Sequence, residues 1–513
     1  MSRPRFAAIA LLALATLAGC APAATPAAAP AAVSAPTRAP TATAAPPTAT
    51  VAPSPTPPPT FAEGSAIHGV DISGLTLAAA GEVLRAALAE RPDELELRAG
   101  PARLDIPLDT IGLAADPAAL LAEAEPALRS DEPAIVEPAP DEAALRERLE
   151  ALAREVDVPA EIRVITSTDV LSRSFAYTPG LALDIDAAYK TVAAALADGA
   201  IDRPVKLELA PDEDAPHVPL ERLQAEVADL SKQWKGVVGF HLYDTASGET
   251  ATFQDGTVFA GASTIKVAIM LYAYVNVERF TPTQERWLKK MIVESDNLAA
   301  NGLLAAGAGG EGTEYAFAGA DKMSTMLQEK LGLQHTYLYV PYETTDYIKL
   351  YKPKYRCGPQ GRVGEPPYTE MGACLRATPR SIAKIYELID QCARGEGLLL
   401  DTFPKLNPRR CQEMLDRLAT NGDKTRMLAG LPDDVRDEVR VEHKSGWIED
   451  MQADAGIIRS PGGDYVAAIY VYKPLTGNRY LWADEVMAPA VAAFSRLAYT
   501  AYNPIRLDNE EVQ

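Results

Sequence analysis

Residues 21–60 are almost entirely Ala, Pro, Thr, Ser and Val. Such a stretch has too little apolar surface to offset the entropy of ordering, and its prolines favour an extended, polyproline-like path. Folding therefore begins near residue 62, and the 513-residue chain leaves room for two or three domains beyond it. At about 3.1 Å per residue, the stretch reaches up to roughly 120 Å as a tether. It also accounts for 41 prolines and an aromatic content of only 7% in a chain whose apolar and charged fractions are otherwise ordinary. A net charge of −21 argues against a nucleic-acid partner, whose phosphates would repel it.

The residues before the tether read as an address. Arg3 and Arg5 form a basic start, and Phe6 to Leu17 is an apolar run too short to span a bilayer. The run ends in Leu17-Ala18-Gly19-Cys20, which resembles the lipobox of bacterial lipoproteins. That resemblance implies a signal peptide over 1–20, cleavage before Cys20 and a diacylglycerol on its thiol. The expected location is extracytoplasmic, anchored to the bacterial cell membrane. No later segment reads as a transmembrane helix.

Four further cysteines, Cys357, Cys374, Cys392 and Cys411, suit an oxidising compartment. Three pairings are open, and the expected one joins neighbours, Cys357 with Cys374 and Cys392 with Cys411. Each bridge would close a loop of about 18 residues, worth on the order of 3 kcal/mol. A zinc site is the alternative, but there is no Cys-x-x-Cys and no paired histidine, and the five histidines are scattered. No metal or cofactor is expected.

Residues 62–212 read as a first α+β region. Thr76 caps a helix running to about Glu90, short strands follow at 95–97 and 103–111, and a charged helix covers 141–155. A second unit runs through a helix at 187–198 to a strand at 205–209. Val70-Asp-Ile-Ser-Gly-Leu-Thr76 resembles the signature of a peptidoglycan-binding domain found before vancomycin-resistance accessory proteins and some L,D-transpeptidases. The resemblance implies the cell wall as a partner; the alternative is a spacer that binds nothing.

Pro211-Asp-Glu-Asp-Ala-Pro216 marks a boundary. Beyond it come a helix at 220–233, a hairpin from Val237 to Phe253, and Phe259-Ala-Gly-Ala-Ser-Thr-Ile-Lys266. Val267, Met270, Leu271, Tyr274 and Val275 recur at helical spacing, so an amphipathic helix is expected. Ser263 would sit at or just inside its start, with Lys266 one turn on and on the same face. A serine hydroxyl needs a partner to take its proton, and a lysine whose pKa is lowered by burial can do that. Thr281-Pro-Thr-Gln284 starts another helix, which ends in Glu294-Ser295-Asp296-Asn297. Gly307-Ala-Gly-Gly-Glu-Gly312 matches a dinucleotide fingerprint only formally; no strand leads into it, and it reads as a turn. Thr378-Pro379 begins a helix to about Cys392. Val441-Glu-His-Lys444-Ser445-Gly446-Trp447 and the runs 455–459 and 465–472 read as adjacent antiparallel strands, and a helix over about 482–500 closes the domain.

Ser263-Thr-Ile-Lys266, Ser295-Asp296-Asn297 and Lys444-Ser445-Gly446 together resemble the motif set of class A β-lactamases and penicillin-binding serine hydrolases. The resemblance covers residues 217–505. It implies an α+β fold, a β-lactamase-like domain with an antiparallel sheet packed with helices, preceded by an N-terminal α+β domain. It also implies that Ser263 forms an acyl-enzyme and Lys266 is its base. Ser295 passes a proton to the departing nitrogen, and Asn297 holds the substrate's side-chain amide. Lys444 and Ser445 receive its carboxylate, and the backbone N–H groups of Ser263 and Trp447 form the oxyanion hole beside Gly446. The expected substrates are β-lactams, or the peptidoglycan stem peptides of a D,D-peptidase. A non-catalytic wall-binding lipoprotein is the reading from a different class.

The chain also departs from the family pattern. Ser263 and Ser295 are only 32 positions apart. No Glu-x-x-Leu-Asn, whose glutamate activates the deacylating water in class A enzymes, precedes Thr378. Glu365 and Glu370 lie in the right region but the wrong context, and read as loop charges.

Overall fold

Three strands near the C-terminal end, joined by tight turns, organise the observed architecture. The computed structural model describes residues 57–113, 116–167, 170–199, 201–212, 214–357, 374–474 and 483–507. Cys20, Glu365 and Glu370 lie outside them. A five-stranded sheet is built from β1 (Val237–Asp244), β2 (Thr250–Phe253), β3 (Arg440–Trp447), β4 (Met451–Ser460) and β5 (Gly463–Tyr472). Its order is β2-β1-β5-β4-β3, antiparallel throughout.

Successive strand side chains point to opposite faces, and here both faces are covered. Val466, Ala468, Tyr470 and Tyr472 of β5 join one core; Tyr465, Ala467, Ile469 and Val471 join another. The second core is closed by α1 (Leu220–Trp234) and by a C-terminal helix, Ala488–Tyr502. The first is closed by α2 (Lys266–Asn276), α3 (Pro282–Lys289), α4 (Asn297–Gly307), α5 (Gly312–Glu329), α6 (Pro379–Ala393) and α7 (Pro408–Leu418). The result is an antiparallel sheet between two helical layers.

Helix starts follow local chemistry. Thr281 and Gln284 form a reciprocal capping box, and Thr378 accepts from the Ser381 N–H ahead of Pro379. The glycine run 307–312 is the turn between α4 and α5. The two disulfides join neighbours, Cys357 with Cys374 and Cys392 with Cys411; the second ties α6 to α7 with both cysteines fully buried.

One helix differs from expectation. Every residue of α2 from Lys266 to Tyr274 is buried, so it is not amphipathic. It is buried all round because it runs among α4, α5, α6 and α7 rather than along the surface.

In the earlier part of the chain, strands Glu94–Ala99, Ala102–Pro107 and Val205–Leu207 share a core with helices Glu142–Val156 and Ile185–Ala197. Thr76, Asp141 and Asp184 cap helices there. The hairpin Glu161–Thr166/Arg173–Thr178 reaches across the acidic segment. Phe175 is buried in the core beneath α1, its N–H donates 3.0 Å to Thr500 Oγ1, and Arg173 pairs with Glu226 of α1. Residues from Pro59 onward accordingly form one unit by their contacts. Among the described residues, no helix is long and apolar enough to cross a membrane.

Candidate functional site

The site assembles where the buried start of α2 meets the edge strand β3. Phe259–Ala260 pairs with Arg376 and Ala377, and Ala262 then turns through φ +43°. The Lys266 N–H donates to the Ser263 carbonyl at 3.2 Å, an i to i+3 bond. Ser263 therefore lies in the turn before α2, not within the helix, which begins at Lys266. Thr264 fixes this turn: its hydroxyl is 2.6 Å from the Gly261 carbonyl and 2.7 Å from the Tyr470 hydroxyl on β5.

Lys266 is fully buried, and its ammonium gathers the site. Nζ lies 3.0 Å from Ser263 Oγ, 2.5 Å from Ser295 O, 3.1 Å from Ser295 Oγ and 2.8 Å from Asn297 Oδ1, four oxygens sharing at most three N–H donors. Burial lowers its pKa to about 7, helped by the nearby Lys444 charge and opposed by Asp296 and Glu343. Near pH 7 the amine is therefore divided between its charged and neutral forms.

Ser295 and Asn297 reach Lys266 because the helix before them breaks. A single π turn, Lys290–Glu294, ends at Ser295, which adopts φ +56°. Asp296 then caps α4 by accepting from the Ala299 N–H at 2.7 Å. The kink turns two polar side chains into an otherwise apolar layer.

A second segment, absent from the sequence expectation, covers this group. Asn301, one turn after Asn297, brackets Tyr342: its Nδ2 donates to the Tyr342 carbonyl at 2.7 Å and its Oδ1 accepts the Tyr342 N–H at 3.0 Å. The Tyr342 ring lies over Lys266 Nζ, 4.8 Å from its centroid, and its hydroxyl donates 2.8 Å to the Ala262 carbonyl. Burial raises the phenol's pKa, so it stays protonated. Glu343, at φ +56° and exposed, accepts from Asn297 Nδ2 at 2.8 Å. The readable signal was Asn301 on the same helix face as Asn297.

On β3, Gly446 allows the strand to touch the serine turn. A Cβ there would lie 2.6 Å from Ser263 N and 2.6 Å from Thr264 N. Lys444 is 1% exposed and donates to the Ser445 carbonyl at 2.9 Å. Burial lowers its pKa to about 8, against the opposing charges of Asp454 and Asp423. Ser445 hydrogen-bonds Asp423, another residue the sequence did not single out. Burial pushes the Asp423 pKa up, but Arg426 and the hydrogen bonds of Ser445 and Thr425 outweigh it and leave it at about 2. Arg426 pairs with Asp423 and stacks its guanidinium 4.4 Å from the ring of the half-exposed Trp447.

Ser263, Lys266, Ser295 and Asn297 are therefore in direct contact, with Gly446 against Ser263 and Lys444 close enough to shift Lys266. A hydroxyl beside an amine of lowered pKa, a second hydroxyl on that amine, and buried cationic side chains at one edge are groups that can support nucleophilic chemistry. Among the described residues, no group of three or more His, Cys, Asp or Glu side chains is arranged to hold a metal ion.

A family model described as the beta-lactamase enzyme family matches residues 222–284 and 281–505. Similar solved structures include PBP-A, 22% identical over 56% of this chain and 98% of its own, with a TM-score of 0.40. A mutant of PBP-A, solved as an acyl-enzyme complex with penicillin G, is 23% identical over 56% of this chain and 99% of its own, with a TM-score of 0.40. An ancestral (GNCA) class A β-lactamase is 20% identical over 54% of this chain and 98% of its own, with a TM-score of 0.37. No curated protein matches the chain.

Proposed function

The chain belongs to the beta-lactamase enzyme family, whose model spans more than half of it, and on that premise we propose that it is a serine hydrolase that forms an acyl-enzyme at Ser263. The observation that carries this reading is the 3.0 Å bond between Lys266 Nζ and Ser263 Oγ, with the lysine's pKa lowered to about 7. Neutral Lys266 takes the Ser263 proton as Oγ attacks the carbonyl carbon of an amide. The backbone N–H groups of Ser263 and Trp447 receive the oxyanion, and the close approach at Gly446 sets their spacing. The proton then passes from Lys266 through Ser295, which shares the same ammonium, to the departing nitrogen. Asn297 holds the acyl-side amide, and Lys444 and Ser445 face the substrate carboxylate.

The amide bond of a β-lactam is the first substrate class. A second reading, a D,D-peptidase acting on peptidoglycan stem peptides and only slowly freed of β-lactams, is favoured by Tyr342. Its ring, rather than a carboxylate, covers Lys266, and none of the four oxygens bonded to Nζ is a carboxylate oxygen. Incubation with a labelled penicillin, with Ser263→Ala as control, separates these readings. Fast turnover points to a β-lactamase and a lasting adduct to the peptidase-like enzyme. No adduct and no turnover overturns both and leaves a non-catalytic wall-binding lipoprotein.

The same proposal places the protein outside the cytoplasm, lipid-anchored through Cys20, with residues 62–212 binding peptidoglycan. Two disulfides between neighbouring cysteines support an oxidising compartment. The anchor is rejected if Cys20→Ser leaves processing and membrane retention unchanged. The wall-binding assignment is rejected if the full-length protein does not sediment with purified peptidoglycan.

A further inference from the structure

Asn297 has both ends of its amide engaged. Its Oδ1 accepts from Lys266 Nζ at 2.8 Å, and its Nδ2 donates to Glu343 Oε1 at 2.8 Å. An acyl-side amide carbonyl that docks on Asn297 needs the Nδ2 donor, because a carbonyl can only accept. Glu343 therefore stands where that carbonyl must go.

The carboxylate cannot retreat far once displaced. Its backbone is held at φ +56°, the preceding Tyr342 is bracketed on both its N–H and carbonyl by Asn301, and the Thr344 hydroxyl closes the turn onto the Pro341 carbonyl at 2.8 Å. The side chain is exposed, so it swings into water at the mouth of the site rather than into the core. It remains within a side chain's length of the substrate's acyl arm. Among the described residues, no lysine or arginine is within ion-pair distance of Glu343; Lys266, across Asn297, interacts with its charge at longer range, and Asp346 is paired with Lys349 at 3.4 Å. Glu343 thus presents to solvent a carboxylate whose direct partner is the neutral Asn297 amide, and an incoming cation can pair with it.

Building on the Ser263 acylation reading, we infer that Glu343 is a specificity-determining residue: it occupies the Asn297 amide donor in the free site and, once displaced, favours substrates whose acyl arm carries an ammonium group. An ammonium arm gains a partner as the Asn297 bond is exchanged. A neutral arm gains none, and a carboxylate arm is repelled. At an exposed position two charges about 4 Å apart interact by about 1 kcal/mol in water, which corresponds to about a fivefold rate difference for each change of arm charge.

Acylation rates, followed by intact-protein mass spectrometry of the Ser263 adduct, test this with three penicillins that differ mainly in the arm. Ampicillin carries an ammonium, benzylpenicillin is neutral and carbenicillin carries a second carboxylate. The wild type should acylate in that order, with about a fivefold step between each. Glu343→Gln keeps an acceptor for Asn297 but removes the charge, and should bring the three rates within about twofold. Glu343→Ala frees the Asn297 donor, and should raise the benzylpenicillin rate about fivefold. Adducts that form with unchanged ratios in Glu343→Gln, or no acceleration in Glu343→Ala, overturn this inference and leave the Ser263 reading intact. No adduct with any of the three in the wild type overturns both.

Discussion

The ring of Tyr342 covers the ammonium group of Lys266 at 4.8 Å, while its hydroxyl is tied to the carbonyl of Ala262, next to Ser263. Burial is the largest cause of the lowered Lys266 pKa, and Tyr342 supplies part of that burial. Tyr342→Ala admits water beside Nζ and moves its pKa from about 7 back towards its ordinary 10.5. Less of the lysine is then neutral at pH 7, so acylation slows about tenfold there. The midpoint of its pH dependence shifts above 8. The pH profile of adduct formation reads the shift directly, and a midpoint still near 7 would remove Tyr342 from this role.

The lowered lysine pKa values also shape stability. Between about 7 and 10.5 the unfolded chain carries more protons on Lys266 than the folded one. Stability therefore rises with pH through that window, and the lysine's cost is fully present below about 7. Lys444, at about 8, contributes with the same sign from 8 to 10.5. Lys266→Met removes the first contribution along with acylation. Thermal melts at pH 7 and pH 9 should show a smaller rise in Tm for the variant than for the wild type.

Gly446→Ala puts a methyl group 2.6 Å from the backbone nitrogens of Ser263 and Thr264. Both obstacles are backbone, so neither can rotate away. The strand must withdraw, which spoils the spacing of the Ser263 and Trp447 N–H groups. Acylation should fall ~10²–10³-fold, the usual effect of losing one oxyanion donor, and stability by about 1–3 kcal/mol. An acylation rate within threefold of wild type would contradict the arrangement at β3.

Asp423 neutralises Arg426, which is 3% exposed. Asp423→Ala removes the closer of two carboxylate partners of that guanidinium, leaving Asp484 at 3.5 Å and Gln452 at 2.6 Å, and should cost about 1.5–3 kcal/mol in chemical denaturation at neutral pH. The contribution of Asp423 is present above its ordinary value of 3.8 and is lost as the pH falls through about 2. The difference between wild type and variant should therefore shrink in acid.

Much of the architecture was legible because its determinants are local. Thr76, Asp141, Thr281 and Thr378 each accept a hydrogen bond from an N–H within three residues, so their helix starts could be read from short motifs. The apolar run 465–472 could be read as a strand; that it is buried on both faces follows from the cores that meet it. The full burial of α2 was not legible. Its back face, with Ala268, Ile269 and Ala273, is explained only by what packs on it. Tyr342 and Glu343 were missed because their partners lie about 40 or more residues away, Asn301 at 41 and Asn297 at 46. The one local hint was a second asparagine four positions after Asn297.

By itself the sequence determined which chemical groups are available and in what order: a serine and lysine one turn apart, a Ser-Asp-Asn after a capped helix, and a Lys-Ser-Gly on a strand. Tertiary structure decided what those groups are. Burial from several elements at once brings Lys266 to about 7. A turn from elsewhere in the chain covers the lysine with a phenol ring and takes the free end of Asn297 with a carboxylate. Desolvation and long-range hydrogen bonding depend on which surfaces meet, and residues far apart in sequence carry no local record of that meeting.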